Sequence, residues 1–306
     1  MINKKINGPQ TSRRRFLKVS AAAGALAALR PLTLEAAEGV SSAPARKRNI
    51  KKAIMGATIG LKGSLGEKYQ MLKEAGFEGV EPMSHMKQDE VVEALEISGL
   101  KAASVCCSTH WNQTLTHPDP ATRERGLDGL KQALRDAKRY GATSVLLVPG
   151  VVNKEVTYEQ CWQRSIEQIR KAIPLAEELG VKIAIEEVWN NFIMKPEEAV
   201  RYLDEINSPW VGWHFDIGNV IRFNAPETWI PLLGKRILKL HIKEFSKTKG
   251  FSVPFFEGDN NWPAIMKALD AVGYEGWGIT EQPGEQTKDV ESLKVFSEKL
   301  TRVLAS

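Results

Sequence analysis

The sequence predicts an α/β fold, a single (β/α)8 barrel, from three observations. Eight short apolar runs alternate with eight helical stretches at a spacing of roughly 30 residues, the rhythm of parallel βαβ units. The last four runs each carry a carboxylate or an imidazole as their last or nearly last residue, and the ends of barrel strands are where chemistry is built. No GxGxxG opens the first helix and no P-loop is present, so the nucleotide-binding open sheets lack their signature. With 306 residues the chain is ample for one barrel of about 250 residues.

The elements follow in order. Ala53 to Ile59 reads as the first strand, with a helix over Leu65 to Ala75. Phe77 to Pro82 is the second strand, followed by a helix from Asp89 to Ser98. Leu100 to Cys106 is the third, and its loop carries His110, Trp111 and His117. Asp119-Pro120 marks the start of a long helix reaching Tyr140, since proline suits the first helical position. Ser144 to Val148 is the fourth strand, and a helix from Tyr158 to Leu179, stopped by Gly180, leads to the fifth, Val181 to Glu186. A helix over Pro196 to Ile206 precedes the sixth strand, Val211 to Asp216. A short helix from Pro226 to Leu233 precedes the seventh, Ile237 to Ile242. After a longer loop, Phe245 to Asn261, come a helix from Trp262 to Val272, the eighth strand from Trp277 to Glu281, and a final helix from Val290 to Val303.

The first 37 residues stand apart from this pattern. Ser12-Arg-Arg-Arg-Phe-Leu-Lys18, followed by alanine-rich sequence to Leu29, matches a twin-arginine export signal. The apolar run of about 11 residues is shorter than the roughly 20 a membrane span needs. The expected organisation is therefore a signal peptide over 1–37, a linker over 38–52 and the barrel over 53–306, in an exported, periplasmic protein that meets the twin-arginine translocase in transit. The leader carries seven basic residues and one acid, a net of +6; removing it from the whole-chain +5 leaves −1. The basic balance belongs to the leader, so no nucleic-acid partner is expected. Cys106, Cys107 and Cys161 lie in apolar surroundings and read as buried, unlinked thiols.

Glu186, Asp216, His241 and Glu281 are each the last or nearly last residue of strands five to eight, and in a barrel they converge on one mouth. Three carboxylates and one imidazole form an oxygen-rich set suited to a hard divalent cation. A carboxylate at an apolar strand tip is costly to bury unpaired, which is a further reason to expect a partner. Glu187 competes with Glu186. Val181, Ile183 and Ile185 share one parity and face the outer helices, so Glu186 points into the barrel, with Glu187 turned aside or bound to a helix start.

Five segments carry a resemblance: Ile185-Glu-Glu-Val-Trp-Asn190, His214-Phe-Asp-Ile-Gly-Asn219, Leu240-His-Ile-Lys-Glu-Phe245, Glu257-Gly-Asp-Asn-Asn-Trp262 and Gly276-Trp-Gly-Ile-Thr-Glu281. The barrel resembles the sugar phosphate isomerase/epimerase family, the xylose isomerase-like TIM barrels that include ketose 3-epimerases. The resemblance is strong from the fifth strand onward and more diffuse before it. It implies that Glu186, Asp216, His241 and Glu281 bind one divalent metal, Mn²⁺ first and Mg²⁺, Co²⁺ or Zn²⁺ as alternatives. Glu186 and Glu281 are then the catalytic acid/base pair, acting on a carbohydrate, often in dimers or tetramers. Ketose 3-epimerases often carry a histidine where this chain has Asn219, an amide that can hydrogen-bond a sugar hydroxyl but carries no charge. Further substrate-binding candidates are Lys243 and His214, inward by parity, and Glu81 and His110 at the mouth. Trp111 and Trp189 could stack on a sugar face.

A metal-dependent sugar isomerase or epimerase working by proton transfer through an enediolate is the leading expectation, and export tilts the substrate to a free sugar or keto-sugar. A lyase or dehydratase on an oxidised sugar or inositol would share the first step, and a non-catalytic carbohydrate-binding barrel would share the fold. The endonuclease branch of the superfold expects a histidine-rich multi-zinc site; five histidines in all, two of them within strands five to eight, argue against it.

Overall fold

In a computed structural model of the chain, residues 48–282 and 287–306 are described. The proposed signal peptide and most of the linker lie outside the described residues. Among the described residues no helix is long and apolar enough to cross a membrane.

Nine parallel strands form a nearly closed barrel wrapped by helices: β1 (Ile50–Met55), β2 (Gly79–Glu81), β3 (Lys101–Ala102), β4 (Val105–Cys106), β5 (Ser144–Leu147), β6 (Lys182–Glu186), β7 (Val211–Asp216), β8 (Ile237–Ile242) and β9 (Gly276–Thr280). The spatial order is β3-β2-β1-β9-β8-β7-β6-β5-β4. The count is nine rather than eight because the predicted third strand is split. Its first half pairs with β2 and its second with β5; between them the Ser104 hydroxyl donates to the Ser144 carbonyl, a side-chain bond in the place of a ladder bond. Cys106 also bridges to Met83, which brings the two ends of the sheet together. The first strand begins at Ile50, not Ala53, inside the predicted linker. Arg48 is already anchored there, to Asp270 at 2.9 Å and to the Leu304 carbonyl.

The helices are α1 (Leu65–Glu74), α2 (Gln88–Ser98), α3 (Pro120–Tyr140), α4 (Tyr158–Leu179), α5 (Pro196–Ile206), α6 (Ile217–Val220), α7 (Pro226–Leu233), α8 (Trp262–Val272) and α9 (Val290–Ala305). Their ends carry the expected signals. Asp119 accepts from Ala121 and Thr122 at the start of α3, and Gly141 and Gly180 end α3 and α4 in the left-handed region. The unforeseen α6 starts on Asp216, whose Oδ1 accepts the Asn219 N–H at 2.9 Å.

Alternation divides each strand between two environments. Ile183, Ile185, Trp213, Phe215, Leu240 and Ile242 face outward into the core beneath the helices. Ala53, Met55, Ala103, Cys106, Leu146 and Ile279 form a small apolar cluster of their own in the lumen. On β2, β6, β7 and β8 the lumen also receives ionisable side chains: Glu81, Glu186, His214, Asp216, Lys239 and His241. All three cysteines are free and buried, as expected.

Between β7 and β8 the register slips. Trp213 faces Ile237, but the next residue, His214, faces Lys239, so Leu238 is the extra residue of a bulge. Without it, the alternation set by Ile237 would turn His241 outward; with it, His241 lies beside Asp216 and points inward. Gly212 makes room: a Cβ there would come within 2.6 Å of Leu238 Cγ and 2.7 Å of the Arg236 carbonyl oxygen. Gly212→Ala is therefore expected to cost about 1–3 kcal/mol, the usual penalty of overpacking, read as a lowered urea midpoint. An unchanged midpoint would mean that the bulge yields freely.

Candidate metal centre

The end of the barrel nearest the strand C-termini gathers the four predicted donors. Glu186 ends β6, Asp216 ends β7, His241 lies on β8, and Glu281 follows β9. Ligand atoms from all four lie within 4.8 Å of one another. His241 Nδ1 is 2.8 Å from Glu186 Oε1, 3.5 Å from Glu281 Oε2 and 3.8 Å from Asp216 Oδ2. Its other nitrogen, Nε2, meets Glu81 Oε2 at 2.9 Å. A carboxylate behind the second nitrogen fixes the ring and its tautomer, the usual support of a metal-binding histidine. The donor set and this backing fit a divalent cation held by Glu186, Asp216, His241 Nδ1 and Glu281.

Lys243 is part of the same cluster. It is buried, its ammonium 2.8 Å from Asp216 Oδ2 and 2.5 Å from Glu281 Oε2, so it is not a solvated loop lysine. Gly218 permits this position, because a Cβ there would fall 2.4 Å from Lys243 Cγ. The two glutamates are consequently unlike. Burial pushes Glu186 up to about 7, against the pull of the His241 ring. Burial also lifts Glu281, but the Lys243 ammonium, and then His241, outweigh it and hold that carboxyl well below the usual range. Burial lowers Lys243 and His241 in turn, yet the surrounding carboxylates raise both above their ordinary values.

The remaining candidates divide. Glu81 and His214 do not line the mouth. Both are fully buried one layer below the donors, where the His214 ring stands edge-on to His241 at 4.2 Å and its Nδ1 lies 3.9 Å from Glu81 Oε1. Burial, followed by the neighbouring His241, lowers His214, which keeps its ring neutral. These two side chains support His241 and are out of reach of a sugar. Asn219 has a structural tie as well: its amide donates to the Glu187 carbonyl at 2.9 Å, which joins the β6 and β7 ends. Glu187 is turned aside as parity required, but onto β7 itself. Its oxygens accept the Trp213 indole N–H and, at 2.8 Å, the Asp216 backbone N–H.

Trp189, 39% exposed, donates from its indole to the Asn219 carbonyl and packs on Phe251 and Phe245, with the Arg222 guanidinium 4.5 Å from its ring centroid. Phe251 belongs to the long loop after β8, which Glu244 and Gln282 hold in place. Glu244 accepts from the Phe256 N–H and the Trp262 indole, and Gln282 donates to the Phe251 and Val253 carbonyls. These two loop anchors were not anticipated; the alternation that turns Lys243 inward also turns Glu244 away, a signal the sequence did carry. Trp111 is 51% exposed and edge-on to His110.

His110 is buried, and its Nδ1 accepts the Val148 N–H at 3.2 Å. Burial lowers it to about 4 even though Glu281 pulls upward. The unfolded chain binds a proton there below about 6.5, the folded chain only near 4, so stability is lost as pH falls across that window. His110→Gln is expected to show a shallower decline than the parent in urea midpoints measured from pH 7 to pH 4.5; equal slopes would contradict a neutral buried ring.

Comparison with known proteins agrees with this architecture. Residues 69–300 match the family described as xylose isomerase-like TIM barrel. The L-ribulose-5-phosphate 3-epimerase UlaE of Escherichia coli O157:H7 (strain EC4115 / EHEC) is 25% identical over 238 residues, covering 73% of this chain and 84% of that protein. Among solved structures, an L-ribulose 3-epimerase superposes with a TM-score of 0.72 at 17% identity, covering 83% of this chain and 94% of the other. The IOLI protein, solved with a bound zinc atom, gives a TM-score of 0.69 at 18% identity over 83% and 98%. With its barrel matched almost from end to end, the chain belongs to the xylose isomerase-like TIM barrel family.

Proposed function

We propose that the chain is a divalent-metal-dependent sugar epimerase or isomerase that moves a proton next to a carbonyl, on a free sugar or keto-sugar. One observation carries the reading: four candidate metal donors cluster at the ends of consecutive strands, with a glutamate at each outer edge, Glu186 ending β6 and Glu281 just after β9, and Asp216 and His241 between them. The sugar epimerases among its relatives support it. A bound divalent cation would polarise a carbonyl and its neighbouring hydroxyl and stabilise the enediolate charge. The chain's own groups supply the proton chemistry. Glu281, kept as a carboxylate by Lys243, is placed to take the proton from the carbon. Glu186, at the end of β6 on the other outer side of the cluster, is placed to return one from the other side. A base and an acid flanking one reacting carbon are what proton transfer with inversion requires. Trp189 and Phe251 offer an apolar face to the sugar carbons. We propose the twin-arginine route to the periplasm on the leader motif alone, and Mn²⁺ as the native ion on the oxygen-rich donor set.

Proton exchange tests this directly. The full chain loaded with Mn²⁺ is incubated in D₂O with a panel of free ketoses, keto-sugars and inososes, and carbon-bound deuterium is followed by NMR. Exchange without net elimination is expected; an unsaturated product would convert the reading to a lyase. Chelation should abolish exchange and lower the melting temperature. Metal at 100 times its dissociation constant should restore about 2.7 kcal/mol of stability. A melting temperature indifferent to chelator and to added metal would remove the metal from the account.

A further inference from the structure

We infer that His110 is the neutral hydrogen-bond donor that receives an uncharged substrate oxygen on the side of the mouth facing Glu281; this rests on the enolisation reading above. The argument begins with its tautomer. The Val148 backbone N–H donates to Nδ1 at 3.2 Å, and a backbone amide has only a proton to give, so Nδ1 is the bare nitrogen and Nε2 carries the hydrogen. Burial keeps the ring from taking a second proton. Nε2 has no hydrogen-bond partner among the described residues. The largely buried ring, 5% exposed, thus carries a committed N–H donor on Nε2.

The position of that edge follows from the fold. His110 comes soon after β4, and Val148, which fixes the ring, comes directly after β5; both lie at the C-terminal end of the barrel. With β3 and β4 counted as one strand, β5 lies opposite β9, which Glu281 follows. A substrate carbon presented to Glu281 would therefore sit between it and His110. Trp111, edge-on to His110 and half exposed, walls the same side.

The chemistry selects the ligand. A neutral imidazole N–H suits a carbonyl or hydroxyl oxygen, and it strengthens its bond as that oxygen gains charge without surrendering the proton. An anionic phosphate would instead favour a cationic partner. Asn219 has one amide hydrogen committed to the Glu187 carbonyl, and His110 adds a donor at a different point of the mouth.

The test combines a spectroscopic and a kinetic measurement on the full chain. Long-range ¹H–¹⁵N spectra of histidine-labelled, Zn²⁺-loaded protein should show His110 as the Nε2–H tautomer; an Nδ1–H tautomer or an imidazolium at pH 7 would overturn the proposal. His110→Phe should lower kcat/KM for deuterium exchange by about 10²-fold, the usual loss of one oxyanion donor. His110→Gln, which keeps a donor, should recover a large part of it. Both variants should retain the parent's zinc affinity. Parent-like exchange by His110→Phe would sink the donor role while leaving the enolisation reading intact. Equal losses in zinc affinity and exchange would reduce His110 to a packing residue. Absence of exchange by the parent chain would overturn the enolisation reading itself, and this role with it.

Discussion

Glu281→Gln and Glu186→Gln are each expected to lose about 10²–10⁴-fold in deuterium exchange, the range that a positioned general acid or base supplies. Glutamine keeps one oxygen for the metal and nearly the same volume, so zinc binding and the melting temperature should change far less than the rate. The two losses should differ in kind. Glu281 shares the Lys243 ammonium with Asp216, at 2.5 and 2.8 Å. Removing its charge leaves Lys243 with Asp216 as its remaining ion-pair partner in the cluster, so the apparent pKa of the residual activity should move. Among the described residues Glu186 meets His241 at hydrogen-bond distance and acts on Lys243 only through its charge, so its replacement should disturb Lys243 less. Residues that act as one unit are not additive, so the double variant should be little worse than the poorer single. A pair of independent losses that multiply would mean that the glutamates serve separate purposes.

Glu187→Ala is expected to be the most destabilising single change near the centre, although Glu187 touches none of the proposed chemistry. Its carboxyl accepts two buried donors, the Trp213 indole and the Asp216 backbone N–H. Each donor left unsatisfied costs about 1–3 kcal/mol, so the sum is about 2–6 kcal/mol. The loss should appear in urea unfolding and, because the Asp216 backbone is no longer tethered, as a fall in zinc affinity of about 10–100-fold. Glu187→Gln should recover part of both, since its carbonyl satisfies one donor while its NH₂ meets the other. Should Glu187→Ala unfold like the parent, the two donors have found other partners and the tether is unimportant.

The contrast between these residues separates what is local from what is not. Helix boundaries were legible because their signals are chemical and short-range: Asp119 before Pro120, Gly180 after Leu179, Pro196 and Pro226 at first positions. The donor set was legible because alternation fixes which side chains of a strand share a face, and Glu186, Asp216, His241 and Glu281 each stand at a strand end. Alternation says nothing of the strand next door. His214 and Asp216 share a face two residues apart, but which of them lies level with His241 depends on the stagger between strands, and the register places Asp216 there. The bulge at Leu238, the division of the third strand, the turning of Glu187 onto β7 and the tying of Asn219 to its carbonyl are likewise agreements between two strands. The sequence by itself determined the kind of barrel and which side chains could meet. Only the tertiary structure decided which of them do, because pairing register and buried hydrogen bonds are settled between segments far apart in the chain.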